Sequence, residues 1–379
     1  MMLSAARKPI ESFLEKLAMQ RTEPLFRHTS LLEIADSMNG PEFRTDPLTG
    51  LKVLIAPVRS SRPSAIHPEP SLNRNDDPFA EGCEAETPHE RFAIRETNSP
   101  PDGRGWKLRV VPNRYPAMMA NQQIDETQMP LSGSDFFPAQ PACGEHDVVI
   151  ECPDSRARLA EFSTVEIARI FSVWQARLRQ LAQVGEYCHV SIFRNEGFSA
   201  GASLSHCHSQ IIASQHSTPL DTERYKRAKR YYQSTGRELT LDLLQAELQS
   251  AKRIVLQSDR FVVLCPFASR TSWHLRFVPH ATTDRSFLNA DQAVTMELAE
   301  LVKTMLKALE QALGGPFSFN LILPHPRLNQ PEQFRWMLEL MPRTGRSAGW
   351  EFLTGVDIVT VAPEQAATDL RQYISQPQT

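Results

Sequence analysis

The sequence predicts an α+β fold built from two related units in tandem, each an antiparallel sheet with a packed helix. Three observations support this prediction. The chain has 379 residues, 41% hydrophobic and 22% charged, which is the composition of a globular protein with two or three domain-sized cores. The succession strand, strand, helix, strand, strand occurs twice in the pattern of apolar residues. Each of the two helices has an apolar stripe that can cover one face of a sheet.

The first copy of this succession is preceded by a predicted strand from Lys52 to Val58 and by a long loop. The loop is predicted by the proline-rich, acidic composition of residues 64–104. The helix of the copy begins after Ser163, because Ser163 and Glu166 have the spacing of a capping box, and it ends at Gly185. Its four strands are expected at residues 108–112, 148–151, 189–193 and 208–213.

The second copy follows a charged helical segment, from Asp221 to about Val255, that is broken near Gly236. Asn289 is expected to cap its helix, with Gln292 at the third position, and Gly314 to end it. Its four strands are expected at residues 261–265, 274–279, 319–323 and 335–340. We therefore divide the chain into a helical lead-in, a first unit and a second, degenerate unit, at residues 1–40, 41–255 and 256–379.

Composition and charge exclude several classes of function. With 41 basic and 44 acidic residues the formal net charge is −3, which excludes nucleic-acid binding driven by overall charge but leaves room for local basic pockets that bind small phosphates. No stretch reaches the roughly 18 consecutive apolar residues of a membrane span. The six cysteines are scattered singly, which indicates neither a disulfide framework nor a zinc ribbon. We therefore expect a cytoplasmic protein with reduced thiols.

The strongest sign of chemistry lies in the segment SIFRNEGFSAGASLSHCHSQIIAS. Because side chains alternate along a strand, His206, His208 and Gln210 share one face, and Cys207 is expected to pack on the other. Just before them, residues 197–203 form a loop of small residues whose backbone N–H groups can approach an anion. This combination predicts a nucleophilic site for phosphorus beside a phosphate-binding loop.

A neutral imidazole can attack phosphorus without a separate base, since its ordinary pKa is about 6.5. The phosphoramidate that forms divides one transfer into two displacements. The second ring nitrogen must donate to an acceptor, such as a backbone carbonyl, so that the attacking nitrogen keeps its lone pair. Gln210, Ser203 and loop amides can stabilise charge on the phosphoryl oxygens. Two other interpretations of the His-x-His pattern are a metal-binding pair and two histidines satisfied by hydrogen bonds within the fold.

These residues, in the pattern Ala-Gly-Ala-Ser-x-x-His-x-His-x-Gln, resemble the galactose-1-phosphate uridylyltransferase branch of the histidine triad superfamily. Further blocks resemble the family in matching order, among them RTDPLTGLKVLIAPVRSSRP, GWKLRVVPNRYPA, HDVVIECPDS and AGWEFLTG. Together the blocks cover most of residues 41–370. The resemblance implies two tandem histidine-triad-like units, in agreement with the repeat, and a homodimer.

The resemblance also implies roles for individual residues. His208 matches the nucleophile that becomes a nucleotidyl-histidine, Gln210 the amide that holds the transferred phosphoryl group, and His206 the first histidine of the motif. Ser203 matches a hydroxyl that contacts phosphate. Further substrate-binding positions lie in the matching blocks, at Asn113, Asn195, Arg44, Arg59, Arg62, Trp350 and Glu351. For the arginines a solvated surface position is the alternative, and for the last two residues it is packing at the end of a strand.

The chain departs from the family pattern at the metal sites. At the four positions of the family's structural zinc it has Asp77, Ala80, Ser155 and His206. Near the positions of a second metal site it has Arg335, Met337 and Glu339, with His325. We therefore expect the structural zinc and iron sites to be lost and no metal cofactor to be present. Asp357 stands where the uridylyltransferase has a sugar-contacting glutamine, which argues against galactose specificity.

Gln210 also favours transfer over hydrolysis. Hydrolases of this superfamily have a third histidine at this position, and an amide cannot protonate a leaving group. We therefore predict a nucleotidylyltransferase that moves a nucleoside monophosphate group between sugar nucleotides and hexose 1-phosphates. Two alternatives are a phosphorylase that cleaves ADP-glucose or a dinucleoside polyphosphate with phosphate, and a catalytically silent nucleotide-binding module. The expected partners are these small molecules, with neither nucleic acid nor membrane.

Overall fold

The computed structural model describes residues 40–61, 77–120, 136–137, 140–156, 158–281, 283, 285–328 and 334–375. From Glu42 onward these residues belong to one compact unit. The predicted helical lead-in, apart from its last residue, and Arg62 lie outside the described residues. No described helix is long and apolar enough to cross a membrane.

The described residues form an α+β fold, as predicted. The strands are β1 (Glu42–Thr45), β2 (Lys52–Ile55), β3 (Phe92–Arg95), β4 (Trp106–Pro112), β5 (Gly144–Ile150), β6 (His189–Glu196), β7 (His208–Ser214), β8 (Ile254–Gln257), β9 (Phe261–Leu264), β10 (Leu275–Pro279), β11 (Phe319–Leu323), β12 (Leu338–Pro342) and β13 (Asp357–Val359). The α-helices are α1 (Thr164–Val184), α2 (Pro219–Thr235), α3 (Leu239–Ser250), α4 (Gln292–Leu313), α5 (Gly349–Thr354) and α6 (Pro363–Ser375). Every pairing of these strands is antiparallel except that of β13 with β2.

Ten of the strands form one continuous sheet in the order β3-β4-β5-β7-β6-β11-β12-β10-β9-β8. The first five strands have the same relative order as the last five read from the opposite edge, so the sheet consists of two equivalent halves. The halves meet where β6 pairs with β11, with Asn195 opposite Asn320. This topology agrees with the repeat in the sequence. The division between residues 255 and 256 stays a prediction, and it falls inside β8.

Helices α1 and α4 cover one face of this sheet and bury the main core against it. Helix α1 begins with the predicted capping box. The Ser163 hydroxyl accepts from the Glu166 N–H at 3.2 Å, and the Glu166 carboxylate accepts from the Ser163 N–H at 2.7 Å. The helix ends at Gly185, whose φ of 77° is the left-handed conformation that glycine adopts without strain.

The predicted cap of α4 is wrong by two residues. The Asp291 carboxylate accepts from the Val294 N–H at 2.8 Å, so Asp291 is the cap. Asn289 instead ends a short 3-10 turn, Phe287–Asn289, that leads into the helix. Asn289 and Asp291 are both common capping residues. Because Asn289 belongs to the 3-10 turn, Asp291 is the one that caps the helix.

Several other predictions of element bounds also differ from the structure, three of them for reasons that the structure shows. The strand expected from Lys52 to Val58 ends at Ile55, because Pro57 starts a 3-10 turn. The stretch expected to be one long loop contains β3, which pairs with β4. The last strand begins at Leu338 rather than Arg335.

Strand β7 has two different faces, as the alternation of its side chains predicts. Cys207 belongs to the core under the helices. The Ser209 hydroxyl accepts from the indole N–H of Trp174 in α1 at 2.7 Å. His208 and Gln210 therefore lie on the opposite face of the sheet, away from α1.

Candidate active site

His208 is the first residue of β7 and the centre of the candidate site. Its Nδ1–H donates to the backbone carbonyl oxygen of His206 at 2.8 Å. This contact keeps the ring proton on Nδ1 and leaves the lone pair on Nε2. A nucleophilic imidazole requires an acceptor of this kind.

Burial keeps the His208 ring neutral. The residue is 6% exposed. Desolvation lowers its pKa from 6.5 to about 4, and the positive charge of Arg194 acts in the same direction. The Phe79 ring packs against the imidazole with 5.4 Å between the ring centroids. At neutral pH, Nε2 therefore has a lone pair that can attack phosphorus.

The loop before β7 has donors without protein partners. Gly197 and Gly201 have φ values of 83° and 86°, which a side chain would strain, and they flank a 3-10 turn, Phe198–Ala200. Ser203 is exposed. Within the described part of the chain, neither its hydroxyl nor its N–H has a hydrogen-bond partner. Both donors are available to an anionic ligand.

Gln210 is held by a residue of the neighbouring strand β5. Its Oε1 lies 2.8 Å from Nε2 of His146, whose Nδ1 accepts from the Ala117 N–H at 3.0 Å. The Nδ2 atom of Asn113 lies 3.1 Å from the same Nε2. The structure thus brings the predicted residues Gln210 and Asn113 together through His146.

Asn195 reaches the site from β6. The antiparallel register of β6 with β7 places it beside His208. Its Oδ1 accepts from Nδ2 of Asn320 at 2.8 Å, and the Oδ1 of Asn320 accepts from Nε of Arg343 at 2.6 Å. A chain of polar contacts therefore runs from β6, the neighbour of the nucleophile strand, into the second half of the sheet.

Arg343 lines a cavity of about 500 Å³. The charged residues in its wall are Arg59, Arg270, Arg343, Arg346, Glu351 and Asp357. The predicted residues Arg59 and Glu351 therefore meet at one cavity, and Trp350 precedes Glu351 in α5 with 46% of its surface exposed. Four guanidinium groups against two carboxylates give the wall a positive charge suited to phosphate.

Arg44 is not part of this cavity. Its Nη1 donates to the Glu364 carboxylate at 3.0 Å and to the Phe267 carbonyl oxygen at 3.0 Å. Its Nε donates to Glu42 at 2.8 Å. These contacts join β1 to α6, so the guanidinium is occupied within the fold and its predicted contact with phosphate gains no support.

His206 lies in a hydrogen-bonded cluster next to the nucleophile. Its Nδ1 is 2.8 Å from an oxygen of Asp77, and its Nε2 is 2.8 Å from the backbone carbonyl oxygen of Cys152. Both ring nitrogens therefore face hydrogen-bond acceptors. The Ser155 hydroxyl donates to the same Asp77 oxygen at 2.5 Å. Burial acts to raise the pKa of Asp77, but the hydrogen bonds from Ser155 and His206 outweigh it and lower the pKa.

These residues do not fit the structural zinc of the family. Zinc binds an imidazole nitrogen directly, and both ring nitrogens of His206 already lie 2.8 Å from oxygens of this chain. Among the residues that the structure describes, no three or more His, Cys, Asp or Glu side chains are grouped to hold a metal. Asp77 and His206 are hydrogen-bonded to each other at that place instead.

The second half has an ion pair where histidine ligands were considered. Arg276 contacts the Glu339 carboxylate at 2.7 Å. Burial acts to raise the pKa of Glu339, but the positive charges of Arg276 and Arg224 lower it to about 2. His325 is engaged elsewhere, since its Nδ1 donates to the carbonyl oxygen of the next residue at 2.7 Å. The donor set here is therefore unsuited to a metal ion.

Sequence reasoning gave no role to three residues that build the site, His146, Asn320 and Arg343. A signal for the first two exists in the sequence. Each is a polar residue on a strand face whose other members are apolar. The two strands are GEHDVVI and FNLIL. Their partners lie on neighbouring strands, so only the strand order shows what they contact.

Comparisons with known proteins agree with this architecture. Residues 30–218 match the family described as galactose-1-phosphate uridyl transferase, N-terminal domain. ADP-glucose phosphorylase of Arabidopsis thaliana is 31% identical over 340 residues, which are 88% of this chain and 93% of that protein. Galactose-1-phosphate uridylyltransferase of Haemophilus influenzae is 28% identical over 342 residues, 87% of this chain and 94% of that protein.

A solved structure shows the same fold. The crystal structure of the Arabidopsis thaliana ADP-glucose phosphorylase with bound ADP-glucose superposes with a TM-score of 0.72 at 29% identity, covering 88% of this chain and 99% of that chain. The matches thus extend over both halves of the ten-stranded sheet. The chain belongs to the galactose-1-phosphate uridylyltransferase-like family and is an enzyme of the nucleotidyltransferase type.

Proposed function

We propose that the protein transfers a nucleoside monophosphate group through a covalent intermediate on Nε2 of His208. The lone pair of Nε2 attacks the α-phosphorus of a nucleoside diphosphate sugar, and a nitrogen–phosphorus bond forms. The sugar 1-phosphate leaves with the electron pair of the broken phosphorus–oxygen bond. An oxygen of a phosphate acceptor then attacks the same phosphorus, and Nε2 recovers its lone pair. The Nδ1–H can stay on the His206 carbonyl throughout.

The observation that carries this proposal is the state of His208, a buried neutral ring with its proton on Nδ1. Attack on phosphorus makes the ring positive, and the carbonyl dipole at Nδ1 stabilises that charge. The amide of Gln210 and the donors at Ser203 supply hydrogen bonds for the phosphoryl oxygens. No group beside Nε2 has to act as a base.

The acceptor is a hexose 1-phosphate or inorganic phosphate. Both are phosphate anions, which attack phosphorus, and leave it in the reverse reaction, without a proton transfer. A site with an amide at position 210, which cannot protonate a leaving group, therefore suffices for them. The positive cavity lined by Arg59, Arg343 and Arg346 is the proposed binding place of this phosphate. Trp350 and Glu351 would contact the sugar from α5.

A second candidate function is phosphorolysis of ADP-glucose. The identity of 31% with an ADP-glucose phosphorylase over 88% of the chain favours phosphate as the acceptor. Asp357 favours it as well, because it replaces the sugar-contacting glutamine of the uridylyltransferase and pairs with Arg270 at 2.9 Å. The two candidates share the first displacement and differ in the second.

Two further properties belong to the proposal. The enzyme works without a resident metal, and the hydrogen bonds of His206 to Asp77 and to the Cys152 carbonyl support this proposal. It forms a homodimer through α5, where Trp350, Phe352 and Leu353 expose 46%, 80% and 84% of their surface. Three large apolar side chains exposed on one short helix are typical of an interface. Sedimentation equilibrium of the wild type and of Phe352→Ser tests this, and a wild-type monomer at micromolar concentration would contradict it.

The test of the covalent step uses nucleotide sugars labelled at the α-phosphorus. Wild-type protein incubated with labelled ADP-glucose or UDP-glucose is expected to acquire a label that is lost in acid and kept in alkali, as a phosphoramidate is. His208→Ala removes the label. His216→Ala is the matched control, because His216 is exposed just beyond β7, and it is expected to keep the label.

The fate of the label distinguishes the candidates. Release of labelled nucleoside diphosphate on addition of phosphate indicates the phosphorylase, and release of labelled sugar nucleotide on addition of a hexose 1-phosphate indicates the uridylyltransferase-type reaction. Failure of the wild type to acquire label from either donor would contradict the proposal and indicate a nucleotide-binding module.

A further inference from the structure

His146 has only one tautomer that satisfies its neighbours. The residue is 8% exposed in β5. The backbone N–H of Ala117 can only donate, so Nδ1 of His146, 3.0 Å away, must accept with its lone pair. The proton of the neutral ring is therefore on Nε2 and points to Oε1 of Gln210 at 2.8 Å. This conclusion is independent of amide assignments, because a backbone N–H cannot be flipped.

Asn113 does not change this conclusion. Its Oδ1 accepts from the Tyr115 N–H at 2.8 Å, so its Nδ2 is the atom that faces Nε2 of His146 at 3.1 Å. Because Nε2 of His146 carries a proton and the Nδ2 group of Asn113 is also a donor, the two form no hydrogen bond with each other. The partner that Nε2–H satisfies is the oxygen of Gln210, which is also the nearer atom.

This hydrogen bond determines which end of the Gln210 amide is left for a ligand. The oxygen is taken by His146, and in the described part of the chain the amide nitrogen has no hydrogen-bond partner. His208 lies two residues earlier on the same face of β7. The NH₂ end of the amide is therefore the end available to a phosphoryl group on Nε2 of His208.

We propose that His146 is a positioning residue, which holds Gln210 as a hydrogen-bond donor toward the transferred phosphoryl group. The proposal rests on the proposed function of His208. Without the His146 donor the amide can rotate by half a turn and present its oxygen, which repels the phosphoryl oxygens. His146 itself forms no bond to substrate and gives up no proton.

The chain allows a matched pair of substitutions at this position. In His146→Asn the side-chain oxygen lies near the place of Nδ1 and can accept from Ala117, but no donor reaches Gln210. In His146→Gln the amide nitrogen extends to the place of Nε2 and can donate to Gln210. The two variants therefore separate the contact with Ala117 from the contact with Gln210. Circular dichroism checks that each variant folds, and His146→Ser replaces His146→Asn if that variant does not.

The measurement is the single-turnover rate of labelling of His208, combined with a double-mutant cycle. His146→Asn is expected to lower the rate about tenfold, the factor for one lost hydrogen bond, with little change in donor KM. His146→Gln is expected to restore most of it. In the background of Gln210→Met, where no amide remains to be oriented, His146→Asn is expected to change the rate less than about twofold.

Several results would overturn the proposal. An equal loss from His146→Asn with and without Gln210 would show that the histidine acts independently of the amide. Equal impairment of both His146 variants would show a merely structural role. A loss that grows with the basicity of the leaving group, together with a changed pH profile, would make His146 a general acid. Each of these results presupposes labelling of the wild type at His208, so they are distinct from a failure of the proposed function itself.

Discussion

The carboxylate of Asp77 lies 2.8 Å from Nδ1 of His206 and forms a hydrogen bond with it. The backbone carbonyl of the same histidine accepts the Nδ1–H of His208, also at 2.8 Å. The hydrogen bond to Asp77 therefore anchors the residue whose carbonyl orients the nucleophile. We propose that this pair holds the segment without a metal, at the position that matches the structural zinc of the family.

Asp77→Asn is expected to destabilise the protein by about 1–2 kcal/mol, because it removes a charge-assisted hydrogen bond that is only partly shielded from solvent. The measurement is the free energy of unfolding in urea. Asp154→Asn is the matched control, since Asp154 pairs with Arg156 at 2.8 Å but is 63% exposed, and it is expected to cost less than about 0.5 kcal/mol. Equal effects of the two variants would contradict the anchoring role.

Chelation provides a second test of the same pair. Dialysis against a strong zinc chelator is expected to leave both the melting temperature and the labelling of His208 unchanged. Metal analysis of the purified protein is expected to find far less than one zinc per chain. Stoichiometric zinc that leaves with loss of stability would contradict the structural account of His206.

The labelling of His208 is expected to persist in mild acid. Since burial lowers the pKa of this imidazole to about 4, the ring stays neutral as the pH falls from 8 to about 5. The initial rate of label formation should therefore be nearly constant in this range and fall by half only near pH 4. A midpoint between pH 6 and 7 would instead indicate a solvent-exposed histidine.

On acidification, the free energy of unfolding is expected to decrease at a higher pH than the rate of His208 labelling does. Burial lowers the pKa of His208, His274 and His325 to about 4 each. Each therefore binds a proton in the unfolded chain near pH 6.5 but not in the native protein until about pH 4. Their contribution to stability is complete above pH 6.5 and is lost as the pH falls toward 4, with about three protons taken up on unfolding.

Urea unfolding at pH 7, 6 and 5 measures this uptake. His325→Gln is expected to reduce it by about one proton, whereas His216→Gln, at an exposed position, should leave it unchanged. A free energy of unfolding that is the same at pH 7 and pH 5 would contradict the burial of neutral histidines.

The positive cavity is expected to determine affinity for the sugar phosphate. Arg346→Ala should raise the KM for both donor and acceptor about tenfold, since the same phosphate group occupies the cavity in the two half-reactions. Arg44→Gln is the control, because Arg44 is paired with Glu364 outside the cavity. It is expected to lower stability and leave KM unchanged. Steady-state kinetics with varied phosphate acceptor measures both.

Local patterns predicted much of the fold and the centre of the site. The capping box at Ser163 and the alternation along β7 depend on residues close in sequence, so both were predictable. The role of His146 depends on the order of strands, which places β5 beside β7. Its partner Gln210 is 64 residues away in the sequence. Asp77 is farther still, 129 residues from His206. Contacts of that range have no local signature.

The seam between β6 and β11 has a consequence for how this chain can break or be shortened. A fragment that ended after α2 would leave β6 with a bare row of amide and carbonyl groups, ready to pair with any similar edge. The second half thus satisfies this strand edge within the chain itself, because β11 pairs with β6 along its length. Any truncation that removes β11 is therefore expected to promote self-association.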